Sequence, residues 1–235
     1  MFRVYRLYYI PTLQSGYTKT LNTIYDKLLE KYGPQYWWPA ESLIEVAVGI
    51  ILTQNTAWIN VEKAIESLKQ NKVLSLKKLD ALAHQELARL IRPCGYYNVK
   101  AQRLKNFLDF FMKEYGGSFM KMKQEKTATI RKRLLSIKGV GKETADSILL
   151  YVLKKPVFVV DAYTKRILAR HRLVRQSADY DEVQRLFHTH IKRSAKVFNE
   201  YHALIVKLGK EHCQKNAQCD RCPLEMMLKG GGSER

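Results

Sequence analysis

Apolar residues recur three and four places apart along most of this chain, the spacing of one face of a helix. In LNTIYDKLLEKYG they fall at Leu21, Ile24, Tyr25, Leu28 and Leu29, and Gly33-Pro34 ends the run. SLIEVAVGIILTQ is apolar nearly all round and predicts a helix buried on most sides. VEKAIESLKQ, KKLDALAHQELARLI and AQRLKNFLDFFMKEYG read as amphipathic helices separated by short breaks. TATIRKRLLSIKG, ADSILLYVLKK, TKRILARHRLV, YDEVQRLFHTHIK and KVFNEYHALIVKLGKEHC continue the pattern. Only VFVV, bounded by Pro156 and Asp161, has strand character. There is no repeat of solenoid period and no low-complexity linker, and the final KGGGSER is expected to fray. The fold class expected is all-α.

Composition sharpens this picture mainly through charge. The 235 residues include 41 Lys and Arg against 22 Asp and Glu, a formal charge of +19. That excess points first to a polyanion, most often nucleic acid, because each phosphate contact releases a counterion. A basic surface kept for solubility is the plainer alternative. No apolar run is long enough to span a membrane, and no long basic amphipathic helix suits a membrane surface. The N-terminus MFRVYRLYYIPTLQSG lacks the apolar centre and cleavage site of a signal peptide, so the expected compartment is the cytoplasm.

The densest chemistry lies in RLLSIKGVGKETADSILLY. Two glycines two apart permit a tight turn, and a helix begins directly after them. Amides exposed at such a helix start can hold a phosphate, and Lys138 and Lys142 add charge there. An ordinary glycine-capped helix hairpin is the plain alternative. Asp161 follows in VVDAYTKRI, where it can cap the next helix or serve as a carboxylate beside a cleft.

This combination of a glycine hairpin, a helix and VVDAY resembles the helix-hairpin-helix glycosylases of the endonuclease III superfamily. The resemblance implies two helical lobes with a cleft between them, divided here as 38–150 against 1–37 and 151–235. It implies damaged double-stranded DNA as partner, a monomer, and a nucleotide flipped out of the stack for chemistry on its base. Gly139, Gly141, Lys138 and Lys142 then hold a backbone phosphate, while Asp161 stabilises the cationic sugar or orients the attacking water.

Bifunctional members place a nucleophilic lysine within the hairpin. An ungapped alignment puts Glu143 in that slot and Lys142 one place early, which implies a monofunctional enzyme. Glu143 itself can assist the chemistry or sit in the first helical turn, where the dipole favours it.

Within the superfamily, GKE…ADSIL with VVD resembles the 3-methyladenine glycosylase III group. QYWWPAES supplies Trp37, Trp38 and Pro39, and ILTQNTAW supplies Gln54, Asn55 and Trp58. In that group two aromatics from these segments sandwich the base, here Trp38 and Trp58, and Gln54 fills the gap left by the flipped nucleotide. Stacking suits an alkylated, cationic purine. A core aromatic pair is the plain reading of WWP.

Similarity extends to IRPCGYYNVKAQRL, whose Arg92, Tyr96, Asn98, Lys100 and Arg103 either face phosphate or form a solvated turn and helix face. Cys94 there is expected as a packed thiol. His202 reads as a structural histidine, and the resemblance to the same group implies that Lys210 lies near the base pocket.

Cys213, Cys219 and Cys222 follow a C-x5-C-x2-C spacing. Many endonuclease III relatives hold a [4Fe-4S] cluster at this end on four cysteines, and here the fourth position falls at Leu228. His212 is the candidate fourth ligand, for the cluster or for zinc, with a metal-free remnant as the remaining alternative. The function expected is a monofunctional glycosylase for alkylated purines such as 3-methyladenine. A glycosylase with lyase activity on oxidised or mispaired bases, and a damage-binding protein without catalysis, are the alternatives.

Overall fold

Helix α2, Leu43–Leu52, is buried at every residue from Glu45 to Leu52, as its unbroken apolar sequence requires. Its start is set by Ser42, whose Oγ accepts from the Glu45 amide, while Glu45 Oε2 accepts from the Glu41 amide. Around it pack α3 (Trp58–Gln70), α6 (Tyr97–Tyr115) and α9 (Lys142–Ser147) with its continuation Ile148–Val152.

In the computed structural model, residues 11–229 are described. Among them every regular element is a helix, and an isolated bridge between Cys213 and Ala217 is the strand-like pairing recorded. The remaining helices are α1 (Pro11–Tyr32), α4 (Leu76–Ala81), α5 (His84–Leu90), α7 (Phe119–Gln124), α8 (Thr127–Leu135), α10 (Ala162–Arg170), α11 (Tyr180–His190), α12 (Ala195–Glu211) and α13 (Glu225–Lys229). No helix among them is long and apolar enough to cross a membrane.

Three local features depart from the hydrophobic pattern. KKLDALAHQELARLI is two helices, because Leu82 and Ala83 take extended backbone with ψ of 136° and 147°. No glycine or proline announces this break. The helix after the hairpin changes to a π turn over Ile148–Val152. VFVV is buried at all four residues, but pairs with no strand among the described residues.

The chain divides into two units. One comprises Tyr36–Val159 with Ser194–Asn199, and the other takes the described residues up to Gln35, Val160–Arg193 and those from Glu200 onward. The first has its core in α2, α3, α6 and the 148–152 turn, extended by Phe107 stacked on Phe111 and Phe111 on Phe119. In the second, α1 packs on α11. Fully buried Tyr201 meets Tyr25 and Phe187 edge to face, and its hydroxyl donates to the Leu21 carbonyl at 2.7 Å. The final KGGGSER lies mostly outside the described residues.

Candidate active site and nucleic-acid interface

Gly139 has φ +96°, a region that glycine enters without penalty, and the Val140 amide donates back to the Ile137 carbonyl to close the turn. Gly141 caps α9 in extended conformation, with Lys142 and Glu143 exposed in the first helical turn. Behind them Asp146 is fully buried and accepts two bonds from Arg131 of α8, at 2.7 and 3.0 Å. This forked pair joins the two legs of the hairpin, so the exposed turn rests on a rigid base. Nothing in the spacing of GVGKETAD alone marks Asp146 for that task.

In the same unit Trp37, Trp38 and Trp58 form one cluster. Trp38 meets Trp58 edge to face at 4.9 Å, and Trp37 lies 5.4 and 5.7 Å from Trp38 and Trp58. Trp38 also packs on Gly49 of α2, where a methyl group would lie 3.0 Å from its ring. In this arrangement the rings of Trp38 and Trp58 are nearly perpendicular, so a base enters between them only if one ring turns. Tyr151 joins the cluster, 5.4 Å from Trp38. Sequence reasoning missed it, because a tyrosine inside ILLYVL looks like core; the π turn carries it to the tryptophans. Pro39 and Asn55 are exposed beside the cluster residues in sequence.

Gln54 reaches the hairpin. Its Nε2 donates to the Gly139 carbonyl at 3.1 Å and to Thr144 Oγ1 at 2.8 Å, and its Oε1 accepts from Arg103 at 2.5 Å. Two members of the IRPCGYYNVKAQRL stretch therefore bond to the protein's own groups. Arg103 is one. Lys100 is the other: it is buried, and its ammonium donates to the carbonyls of Leu52 and Cys94 at 2.9 and 2.7 Å. Burial lowers the Lys100 pKa from its ordinary value and raises that of the neighbouring Cys94 thiol. Arg92, Tyr96 and Asn98 are exposed.

The other unit carries Asp161 as the N-cap of α10. Its Oδ1 accepts from the Thr164 amide and hydroxyl at 2.7 and 2.8 Å, leaving Oδ2 turned to His202 Nε2 at 3.8 Å. Burial lowers the pKa of His202, and the carboxylate of Asp161 partly opposes that shift. Lys210 is exposed on α12 of this unit.

The C-terminal cysteines are not gathered into a ligand set. Cys213 is buried, Cys222 half-buried and Cys219 exposed. Among the described residues no three His, Cys, Asp or Glu side chains stand together as a metal site. Cys213 Sγ instead accepts from Arg170 at 3.2 Å, and His212 Nδ1 is 3.3 Å from the Gln218 carbonyl. Burial raises the Cys222 thiol, with smaller contributions from Cys219 and Cys213, so the sulfurs share a neighbourhood without converging. A four-thiolate cluster does not fit this donor set.

Residues 48–193 match the family of HhH-GPD superfamily base excision DNA repair proteins. The chain belongs to that family. It is a DNA glycosylase of the helix-hairpin-helix kind, with the all-helical fold common to the group. A candidate DNA repair glycosylase of Methanocaldococcus jannaschii is 50% identical over 203 residues, covering 86% of this chain and 92% of its own. The crystal structure of the H. pylori 3-methyladenine DNA glycosylase MagIII bound to 1,N6-ethenoadenine is similar, with TM-score 0.72 and 34% identity. That match covers 83% of this chain and 97% of the other. An endonuclease III–DNA complex shares the fold at TM-score 0.77 and 20% identity, covering 91% and 96%.

Proposed function

We propose that this glycosylase excises alkylated purines, 3-methyladenine first among them, from double-stranded DNA, acts as a monomer and leaves an abasic site without cutting the backbone. The observation that carries the reading is the cluster of Trp37, Trp38, Trp58 and Tyr151 in one unit. A purine alkylated on its ring bears positive charge, and electron-rich ring faces attract it where a neutral base gains less. The similarity to the 3-methyladenine DNA glycosylase MagIII supports the same substrate class.

The chemistry asks little of the protein beyond positioning and one negative charge. A cationic base departs as a neutral molecule, taking the glycosidic electron pair and leaving positive charge on the sugar. Asp161, with Oδ1 tied to Thr164, presents Oδ2 to that charge. Water then adds to the anomeric carbon and gives up its proton to Asp161 or to solvent. Gly139, Gly141, Lys138 and Lys142 hold a phosphate of the damaged strand, Gln54 takes the place of the flipped nucleotide with Asn55 beside it, and Pro39 and Lys210 border the base.

Glu143 stands where a lyase keeps its nucleophile, so no Schiff base forms from the hairpin. The test is release of base from methylated duplex DNA by wild type and Asp161→Asn. The variant is expected to lose at least about a hundredfold in rate while still binding DNA. A covalent adduct trapped by borohydride on abasic DNA would favour the bifunctional alternative, and a wild type that binds damage but releases no base would favour a damage sensor.

A further inference from the structure

No atom of the Gln54 amide is idle in this structure. Nε2 has two acceptors, the Gly139 carbonyl and Thr144 Oγ1, and Oε1 has one cationic donor, Arg103. We propose that Arg103 is the positioning residue for Gln54, fixing which end of its amide faces the nucleotide gap and locking that side chain to the phosphate-binding hairpin. The inference rests on the reading of Gln54 as the side chain that enters the gap.

Three features of this unit support it. First, an amide can turn end for end at little cost unless its neighbours differ in kind. Here a cation lies on one side and acceptors on the other, so a turned amide would set its NH2 against a guanidinium. Second, Arg103 is itself held. Its Cγ, Cδ and Nε lie directly over Gly139, where any side chain would intrude on them. The glycine therefore supplies both the positive φ of the turn and the space for the arginine. Third, α6 is anchored to the helix end that precedes Gln54. Lys100, one turn before Arg103, donates to the carbonyl of Leu52, the last residue of α2. The geometry is that of a support laid under a working side chain: α6 braces the end of α2 through Lys100 and the side chain of Gln54 through Arg103.

The competing role is a direct grip on DNA. Arg103 also borders an open groove of about 470 Å³ with His84, Asn98, Gln102, Asn106 and Lys138, through which a phosphate could reach it. The two roles separate in a double-mutant cycle of Arg103→Met with Gln54→Ala. Methionine keeps the unbranched stem over Gly139 and removes the guanidinium.

Arg103→Met is expected to slow single-turnover base release about tenfold alone, the loss of one charged hydrogen bond, and less than about twofold when Gln54 is already alanine. Arg103→Lys, which keeps charge but not the fork, is expected to fall between. Equal losses in both backgrounds would overturn the proposal. Two readouts do not need turnover. With 2-aminopurine placed opposite a stable abasic analogue, wild type should change the fluorescence, and both Arg103→Met and Gln54→Ala should abolish that change. The salt dependence of binding to the same duplex should be unaltered in Arg103→Met; a log–log slope shallower by about 0.9 would make Arg103 a phosphate contact. If Gln54→Ala leaves the fluorescence response intact, Gln54 does not enter the gap and the proposal fails. A wild type that releases no base sinks the function proposed above, while fluorescence and salt slope still decide the role of Arg103. Unfolding midpoints of all variants identify any loss of fold, and Arg103→Lys carries the same cycle if the methionine variant does not fold.

Discussion

Gly139 answers to two demands at one residue, a φ of +96° and the Arg103 side chain lying against it. Gly139→Ala is therefore expected to cost about 1–3 kcal/mol in stability, measured as a shift of the denaturant midpoint, and to weaken binding to duplex DNA. Unchanged stability would mean that the turn relaxes. Asp161 shows how a residue's task can be divided between atoms: one oxygen caps α10 and the other is turned to His202. The identity of both residues was legible in the chain, glycine because the turn needs it and aspartate because it precedes a helix. The partner at Asp161 was not. His202 is forty-one residues away and lies on a helix whose Leu204, Ile205 and Leu208 are buried as their spacing suggests. Only packing turns its ring toward the carboxylate.

At the scale of elements, α8 and α9 are joined by the Arg131–Asp146 pair, whose carboxylate is fully buried. Replacing Arg131 by alanine leaves that charge without its forked partner, and a loss of about 3–5 kcal/mol in unfolding free energy is expected. A loss below about 1 kcal/mol would mean that water or another cation reaches Asp146.

Hydrogen bonds from α10 tie down the C-terminal segment. Arg166 donates to the Cys213 carbonyl at 2.7 Å, and Arg170 donates to Cys213 Sγ and to the carbonyls of Gln214 and Lys215. These bonds stitch residues 213–215 to the helix that Asp161 caps. Gly209 aids the packing by leaving room for the ring of Tyr163. With no three His, Cys, Asp or Glu donors gathered among the described residues and Leu228 at the fourth position, the purified chain is expected to carry no stoichiometric four-iron cluster. Metal analysis checks this: four irons per chain would restore the cluster, and one zinc would point to the three cysteines with His212.

Over the whole molecule the charge of +19 and three histidines, His202 buried and His171 and His190 half-buried, set the response to solution conditions. Burial holds His171, His190 and His202 below their ordinary pKa of 6.5. Above 6.5 these rings are neutral whether the chain is folded or not, and their contribution is fully present. As pH falls through 6.5 the unfolded chain takes up protons that the folded chain resists, so stability declines. The denaturant midpoint is expected to be lower at about pH 5 than at about pH 7.5. A midpoint constant across that window would mean the rings are open to solvent.

The sequence by itself determined the helical class, the hairpin, the carboxylate after VFVV and the family. Each rests on local rules, whether helical periodicity, the conformational demand on a glycine, or residue order within a motif. It did not disclose the split of KKLDALAHQELARLI, the burial of Lys100, the bond from Arg103 to Gln54, or Tyr151 among the tryptophans. Those were decided by tertiary structure, because each depends on which distant atoms compete for the same space and the same hydrogen bonds. Lys100 is the clearest instance. A lysine on an amphipathic helix reads as a surface charge, and only the carbonyls left over at the end of α2 and at Cys94 make its burial possible.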